Sequence, residues 1–336
     1  MCTIGSLINL KSPVELEVNV PSVLRTQRIR IDFFDQQSVD VDAVVQDSLP
    51  GGSRIGTVVG CHGTPGSHKD FKYILPHLHK YGIRFIGINF PGQDHEKLHY
   101  TNEERMQFVQ KLINSLNVGD NIVFLGHSRG SENALRMAAR NPVRDRCKGV
   151  ALINPIGVGV HGMKHIWMVK FGLWLWERFR IFRFIARYIF YTVFKFLKIR
   201  VQNGDEAAVC LKLAANIDLS GQLRYINILN NSNTKLLIAY SAMDHIIEIS
   251  ASQQFASLFH NINHVNCQSK DDISVLDDIP QRYGESERSF SVCFEKEGHY
   301  LQKRQAKFIA NCTYFMLIAD KVAQEDIRNI FNSLYK

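Results

Sequence analysis

Hydrophobic and polar residues alternate along two stretches near the beginning of the chain, at residues 27–34 and 39–45. Alternation with a period of two places successive side chains on opposite faces of a β-strand. The segment between the two stretches, residues 35–38, is polar and has the composition of a turn. The pattern therefore predicts an antiparallel β-hairpin.

From residue 57 onward the pattern changes to short, continuous apolar runs separated by segments with helical periodicity. Continuous apolar strands that alternate with helices are typical of a mostly parallel, doubly wound sheet with helices on both faces. The sequence thus predicts the α/β class. The apolar runs are residues 57–61, 83–90, 121–125, 149–153, 235–240 and 290–294, and the helical segments are residues 71–78, 103–116, 131–139, 251–259 and 301–317.

Two segments interrupt this alternation. Residues 158–233 lack the strand pattern and contain no proline, so long helices are unobstructed there. We interpret this segment as a helical lid insertion after the sixth strand, between a first part of the core at residues 1–157 and a second part at residues 234–336. The polar stretch 266–288 contains several aspartates, and we interpret it as a surface loop.

The segment Gly126-His-Ser-Arg-Gly130 matches the pattern Gly-x-Ser-x-Gly and lies directly between a predicted strand and a predicted helix. In this context the pattern indicates a nucleophile elbow, a sharp turn that exposes a serine hydroxyl at the end of a strand. Gly126 and Gly130 lack the Cβ atoms that would collide where the strand and the helix approach each other. Ser128 is therefore the candidate nucleophile, and the N-terminus of the following helix favours developing negative charge.

A catalytic serine of this kind needs two backbone N–H donors for the negatively charged oxygen of the tetrahedral intermediate. One donor is expected from Arg129, the residue after the nucleophile, and the other from the loop after an earlier strand. The segment His62-Gly-Thr-Pro-Gly66 occupies that place, and Thr64 is the candidate donor because the glycines permit close backbone approach. We expect His62 and His127, which lie inside the two motifs, to support the geometry of these loops.

The candidate general base is His299, which follows the last predicted strand and precedes the last predicted helix. The candidate acid is Asp244, on the loop after the strand at 235–240, because ligand-facing residues gather at the carboxyl ends of parallel strands. Its role would be to hold the imidazole in the productive tautomer. Glu248 on the same loop is the alternative acid. The chain order serine, aspartate, histidine is the order found in hydrolases with a nucleophile elbow.

With these motifs the chain resembles the α/β-hydrolase superfamily over most of its length outside the insertion and the polar stretch. Residues 126–134 (GHSRGSENA) and 298–303 (GHYLQK) are further similar to a branch of that superfamily that is expanded in nematodes. The resemblance implies the α/β-hydrolase fold and a serine nucleophile, but it implies no substrate, because this fold hosts many functions. An aspartate in place of Ser128 would have suggested an epoxide hydrolase or a dehalogenase.

The motifs together predict a serine hydrolase that cleaves an ester or a thioester through an acyl-enzyme, with an amide substrate less favoured. The expected partner is a small ester or lipid-like molecule with an apolar acyl group. Neither a metal nor an organic cofactor is implied. A non-catalytic binding protein that kept the fold is the alternative from another functional class.

The basic residues are concentrated in the predicted insertion. Residues 164–200 contain nine lysines and arginines and one acidic residue, which accounts for the whole formal net charge of +8. All three tryptophans of the chain lie in the same segment. A nucleic-acid-binding protein would spread its positive charge over the reading surface, so we expect no nucleic-acid partner.

A basic face beside an aromatic and apolar face is what a helix at a membrane surface needs. Three alternatives stay open: the basic face is the solvated side of a lid, it pairs with the acidic stretch at 271–278, or it binds an anionic head group on the substrate. A protein whose main function is membrane docking is the corresponding functional alternative. The candidate contacts to a membrane or another anion recur at helical spacings and are Arg180, Arg183, Arg187, Lys195 and Lys198.

Three further features bear on the compartment. No apolar stretch of the sequence has the length of a membrane span, and the first residues have no secretory signal pattern. The seven cysteines are scattered without a CxxC pair, which is typical of reduced thiols. We therefore expect a cytoplasmic protein, with peripheral contact to a membrane surface as an extension of that expectation.

Overall fold

The computed structural model describes residues 23–33, 37–91, 98–159, 166–196, 199, 201–268, 272–284 and 287–321. Within these ranges the strands form a nine-stranded sheet with the order β1-β2-β4-β3-β5-β6-β7-β9-β8. The strands are β1 Val23–Asp32, β2 Ser38–Asp47, β3 Thr57–Cys61, β4 Arg84–Ile88, β5 Ile122–His127, β6 Cys147–Ile153, β7 Lys235–Ser241, β8 Asn263–Cys267 and β9 Ser289–Phe294.

The predicted N-terminal hairpin is confirmed. Strands β1 and β2 pair antiparallel over their full length, from Val23 opposite Asp47 to Asp32 opposite Ser38. Strand β2 also pairs antiparallel with β4, whereas the other pairs of neighbouring strands, from β4 with β3 to β9 with β8, are parallel. The hairpin therefore forms one edge of an otherwise parallel sheet.

Helices cover both faces of the sheet, which explains the continuous apolar strands. Adjacent residues of one strand contribute to two separate cores: Val123 packs into the core on one face and Phe124 into the core on the other. The predicted doubly wound α/β arrangement is confirmed. The helices are α1 Leu75–Lys80, α2 Asn102–Ser115, α3 Gly130–Ala139, α4 Ile166–Arg178, α5 Arg180–Phe196, α6 Gly204–Ala215, α7 Gln222–Asn230, α8 Ile249–Ala256, α9 Ile273–Arg282, α10 Leu301–Arg304 and α11 Ala306–Ile318.

Four of these helices, α4 to α7, lie between β6 and β7, so the helical insertion after the sixth strand is confirmed. Helices α4 and α5 pack against each other and both pack on α6. The division of the chain into domains at residues 1–157, 158–233 and 234–336 stays a prediction.

The prediction of a surface loop over the polar stretch 266–288 is wrong. This region contains the end of β8 and the helix α9, whose Ile279 and neighbouring Tyr283 are buried. The hydroxyl of Tyr283 donates a hydrogen bond of 2.8 Å to the carbonyl oxygen of Leu236 in β7. The aspartates conceal an amphipathic helix, because apolar residues at positions 276, 279 and 283 recur at helical spacing between them.

The last predicted helix is also interrupted. Residues 301–317 form the short helix α10 and the longer α11, with Gln305 between them in a non-helical conformation. The apolar periodicity of the segment continues across this break, because residues of both helices belong to the same core. The apolar periodicity of the sequence therefore did not predict the break between the two helices.

Candidate active site

Ser128 lies on the turn between the end of β5 and the start of α3. Its φ angle is +51°, in the left-handed region that a residue with a side chain rarely adopts. Two hydrogen bonds fix this backbone: Ser128 N donates to Ile153 O at 2.9 Å, and Ser131 Oγ donates to Ser128 O at 2.6 Å. Ser128 is 9 % exposed, and its hydroxyl makes no hydrogen bond to another residue in the described part of the chain. Strain of this kind is typical of functional turns.

The two glycines of the motif are required by close backbone contacts. A Cβ atom on Gly126 would lie 2.5 Å from Ser131 Cα. A Cβ atom on Gly130 would overlap the carbonyl oxygens of Cys61 and His62, at the end of β3. Both positions therefore exclude every larger residue unless the backbone moves, which explains why the turn has this sequence.

The structure brings His299 and Asp244 together. The imidazole Nδ1 of His299 lies 2.8 Å from Asp244 Oδ2, and the two side chains are 5 % and 1 % exposed. The other carboxylate oxygen of Asp244 accepts hydrogen bonds from the backbone N–H groups of Ile246 and Ile247. Glu248, the alternative acid, is exposed. Asp244 is therefore the carboxylate that orients the histidine.

The surroundings of Asp244 keep it ionised. Burial by itself raises the pKa of this carboxyl group. The hydrogen bond and the charge of His299, together with the N–H groups of Ile246 and Ile247, outweigh burial and hold the pKa below its ordinary value. An ionised carboxylate accepts a hydrogen bond from Nδ1–H of the imidazole, which leaves Nε2 of His299 as the nitrogen that faces a possible proton donor.

Asn154 connects the strand ends that carry these residues. Its side-chain amide donates a 2.7 Å hydrogen bond to the carbonyl oxygen of His299, and its Oδ1 accepts from Ser241 N at 2.9 Å. His127 Nε2 lies 3.0 Å from the same carbonyl oxygen of His299. Asn154 thus ties the loop of His299 to the ends of β6 and β7. His127, the residue directly before Ser128, ties the same loop to the end of β5. Sequence reasoning missed Asn154, although its place directly after a buried strand was a usable signal.

The loop after β3 lies against the elbow. A Cβ atom on Gly63 would be 3.2 Å from Ser128 Cβ, and the next residue, Thr64, precedes a cis peptide bond to Pro65. Neither Thr64 N–H nor Arg129 N–H donates a hydrogen bond to any residue in the described ranges. Both backbone N–H groups are therefore free to donate hydrogen bonds to an anion.

The histidines inside the two motifs support these loops, as expected from the sequence. His62 Nδ1 lies 2.6 Å from Gly63 O, and His62 Nε2 accepts a hydrogen bond from Phe90 N at 3.2 Å. Burial lowers the pKa of His62 to about 3 and that of His127 to about 3, so both side chains are neutral. His127 Nδ1 is 4.0 Å from Asp70 Oδ2, and burial raises the pKa of Asp70 to about 6.

A buried ion network lies beneath the elbow, and sequence reasoning did not find it. The carboxylate of Glu132, which is fully buried, forms ion pairs with Arg129 and with Arg136, the latter at 2.5 Å. The guanidinium of Arg129 also donates a 2.9 Å hydrogen bond to Asn102 Oδ1. Burial lowers the pKa of Arg129, and the charges of Arg105 and Arg136 lower it further. The network ties the elbow residue Arg129 to the first two turns of α3.

A cavity of about 380 Å³ adjoins the two free N–H groups. Both Thr64 and Arg129 line it, and helices α5 and α6 of the insertion form part of its wall. Most of its lining is aliphatic or aromatic, which suits an apolar ligand group. The apolar residues that line it include Ile156, Phe194, Ile199, Leu213, Ile217, Leu219, Ile246 and Ile247.

The candidate anion contacts on the insertion divide into two groups. Arg183 turns inward and donates a 3.0 Å hydrogen bond to Trp176 O, and Arg187 forms a 2.8 Å ion pair with Asp205. Arg180 and Lys195 form no ion pair with a residue that the structure describes. Lys198 lies outside the described residues.

Pairing of the basic helices with the acidic stretch is not observed among the described residues. Asp278 pairs with Arg282 of its own helix at 3.4 Å instead. Asp271 lies outside the described residues. The contact between the two segments therefore stays a prediction.

Comparisons with known proteins identify the family to which this fold and this sequence are similar. The family described as "Alpha/beta hydrolase of unknown function (DUF1057)" matches residues 23–318. An uncharacterized protein of Caenorhabditis elegans, F35H12.5, is 26 % identical over 300 residues, which cover 85 % of this chain and 84 % of the relative. This similarity fits the predicted nematode branch.

Solved structures show the same fold at low sequence identity. A bromoperoxidase from Bacillus anthracis superposes with a TM-score of 0.56 at 14 % identity, covering 87 % of this chain and 99 % of that one. A thermophilic esterase from Thermogutta terrifontis superposes with a TM-score of 0.52 at 14 % identity, covering 92 % of this chain and 100 % of that one. The elbow, the sheet order and the family match lead to one conclusion: the chain belongs to this family of α/β hydrolases.

Proposed function

We propose that this protein is a serine hydrolase that cleaves an ester or thioester with an apolar acyl group. The observation that carries the proposal is the buried 2.8 Å pair of His299 and Asp244. The two residues follow β9 and β7, at the edge of the sheet where the parallel strands end and where the Ser128 elbow follows β5. We call this edge the rim. A histidine oriented by an ionised carboxylate is the general base that a serine nucleophile requires. The two free N–H groups of Thr64 and Arg129 support the same chemistry.

The first half of the reaction forms an acyl-enzyme. Nε2 of His299 takes the hydroxyl proton as Ser128 Oγ forms a bond to the carbonyl carbon of the substrate. The carbonyl electron pair moves onto the oxygen, which accepts hydrogen bonds from the N–H groups of Thr64 and Arg129. When the tetrahedral intermediate collapses, the C–O or C–S bond to the leaving group breaks, and His299 returns its proton to the alcohol or thiol.

The second half repeats these steps with water. His299 removes a proton from water as the oxygen attacks the acyl carbon, and the intermediate releases the carboxylic acid and restores Ser128. Asp244 stabilises the imidazolium in both halves without being protonated itself. Each of these steps uses side chains and backbone groups of this chain.

The acyl group is proposed to occupy the 380 Å³ cavity. Its apolar wall excludes water from an acyl chain, and each buried methylene would contribute about 0.8 kcal/mol. A series of p-nitrophenyl esters of increasing acyl length tests this assignment. We expect kcat/KM to increase from acetyl towards medium-length acyl chains, whereas a preference for acetyl would contradict it.

A fluorophosphonate probe tests the nucleophile. The wild-type protein should be labelled, and Ser128→Ala should not, while the matched variant Ser250→Ala removes an exposed serine on α8 and should keep full labelling. Ester hydrolysis by Ser128→Ala should fall by about 10⁴-fold or more. A wild-type protein that is neither labelled nor active on any ester would favour the alternative of a non-catalytic binding protein.

A further inference from the structure

Helices α4 and α5 expose large apolar side chains on the side of the insertion that faces away from the core. Six of these side chains, three on α4 and three on α5, are between 53 % and 81 % exposed and lie on the helix faces opposite the buried residues. We call these six residues the outer apolar face. Its members are Trp167, Phe171, Trp174, Ile181, Phe184 and Tyr188.

The packing of the insertion explains why these residues share one side. Trp176 of α4 and Ala186 of α5 are buried together against Ala208 of α6, and Phe194 of α5 is buried against α6 as well. Because each helix uses one face to contact α6, its opposite face turns away from α6. Ring contacts connect neighbouring members, with centroids 5.8 Å apart for Phe171 and Trp174 and 5.9 Å apart for Phe184 and Tyr188.

Positive charge lies on the same two helices as the outer apolar face. Helices α4 and α5 contain six lysines and arginines and one acidic residue, Glu177, whose carboxylate is paired with Lys212 at 2.7 Å. Arg180 and Lys195 carry charges that no acidic residue in the described ranges neutralises. Large apolar side chains that are exposed together on one surface of a folded domain mark interaction sites.

We propose that the outer apolar face docks on a membrane that contains anionic lipids. Aromatic and aliphatic side chains beside lysine and arginine match the boundary between acyl chains and negatively charged head groups. A second copy of this chain fits less well, because two such faces would bring like charges together. None of the described helices is long and apolar enough to cross a bilayer. In this proposal α4 and α5 lie along the membrane surface.

The docking surface adjoins the candidate active site. Helix α5 carries the outer apolar face on one side and contributes Phe194 to the cavity lining on the other. Docking would therefore place the cavity next to the lipid phase, from which an apolar acyl substrate could enter. The docking inference itself does not depend on the proposed hydrolase activity.

Vesicle sedimentation with the full chain tests the proposal. One set of vesicles contains phosphatidylcholine alone, and the other contains equal parts of phosphatidylcholine and phosphatidylserine. We expect the wild-type protein to sediment with the anionic vesicles and much less with the neutral ones. Ser128→Ala should sediment like the wild type, which separates docking from catalysis.

Two double variants probe the two components of the surface. Ile181→Ser/Phe184→Ser removes apolar contact, and we expect it to abolish sedimentation with either vesicle. Arg180→Gln/Lys195→Gln should lower the partition coefficient for anionic vesicles by roughly thirtyfold. The matched controls are Leu223→Ser, an exposed leucine on α7, and Lys80→Gln, an exposed lysine on α1, and both should bind like the wild type.

Three outcomes would overturn the proposal. The first is that the wild-type protein does not sediment with the anionic vesicles, and the second is that both double variants sediment as well as the wild type. The third is that the wild-type protein forms a dimer without lipid and binds no vesicles, and that Ile181→Ser/Phe184→Ser dissociates this dimer, because the face would then bind a second copy. Since all four substituted side chains are exposed, unchanged thermal melting should confirm that the variants are folded.

Discussion

The rim of the sheet buries polar side chains, whereas the outer apolar face of the insertion exposes apolar side chains. At the rim, polar groups such as Asn154 and His299 are almost fully buried, and each is held by several hydrogen bonds. On the insertion, apolar groups such as Ile181 and Phe184 are exposed to water. Both arrangements have an energetic cost, because buried polar groups need partners and exposed apolar groups are poorly solvated.

The fold compensates the cost of burying polar groups at the rim, but it does not compensate the cost of exposing apolar groups on the insertion. At the rim, hydrogen bonds within the chain satisfy the buried groups, so the site is preorganised before a substrate arrives. On the insertion, nothing in the described part of the chain covers the apolar side chains. We therefore interpret the rim as a site completed by folding and the outer apolar face as a site completed by an external surface.

The largest expected effect concerns the carboxylate at the rim. Asp244→Asn keeps the shape of the side chain but removes the charge that holds the imidazole tautomer, so ester turnover should fall by about 10⁴-fold. The matched variant Glu248→Gln changes an exposed carboxylate on the same loop and should keep turnover within about twofold of the wild type. Steady-state kinetics on one activated ester measures both, and equal losses in the two variants would contradict the assignment of Asp244.

A pair of glutamates compares the two regions directly. Glu132→Gln leaves the guanidinium groups of Arg129 and Arg136 buried without their carboxylate, so the free energy of unfolding should fall by about 3–5 kcal/mol. Glu177→Gln breaks the pair with Lys212 on the insertion, where Glu177 is 58 % exposed, and should change it by less than about 1 kcal/mol. Urea denaturation measures the free energy of unfolding of both variants. Similar losses in the two would contradict the expected difference between the buried and the exposed ion pair.

Asn154 tests whether the rim is preorganised by its tether. In Asn154→Ala the carbonyl oxygen of His299 loses one donor and Ser241 N–H loses its acceptor, so the free energy of unfolding should fall by about 2–3 kcal/mol. As a positioning residue, Asn154 should also lower kcat by roughly tenfold while KM stays similar, because the histidine is less well placed. Asn154→Gly tolerates the φ angle of +43° and should recover part of the stability but not kcat. Recovery of both would indicate a role in backbone conformation alone.

The smallest effect is a pH dependence at Asp70. Burial raises its pKa from an ordinary 3.8 to about 6, so the folded protein binds this proton more tightly than the unfolded chain. The contribution of Asp70 to stability is therefore most favourable below about pH 4 and declines as the pH rises to about 6. Asp70→Asn should remove this decline and gain about 1–2 kcal/mol relative to the wild type over that interval. Denaturation curves at several pH values measure it, and a difference independent of pH would refute it.

Much of the fold could be predicted because its signals are local. The apolar runs that became β3, β5 and β7 are continuous since helices cover both faces of the sheet, and that environment is recorded in each strand separately. The elbow was predictable for a similar reason, because Gly126 and Gly130 are demanded by contacts within a few residues or with one adjacent strand. The aspartate-rich stretch that became α9 was misjudged because its polar face outnumbers its buried one.

What the sequence by itself determined is the order of strands and helices and the residue types that can carry acyl-transfer chemistry. Only the tertiary structure decided which carboxylate orients His299, because Asp244 and Glu248 lie on the same loop and differ in burial rather than in local sequence. It also decided the role of Asn154, whose partners come from distant segments, and it buried the ion pairs that Glu132 makes with its neighbours Arg129 and Arg136. Hydrogen bonds and ion pairs across the sheet depend on distances that no local pattern encodes.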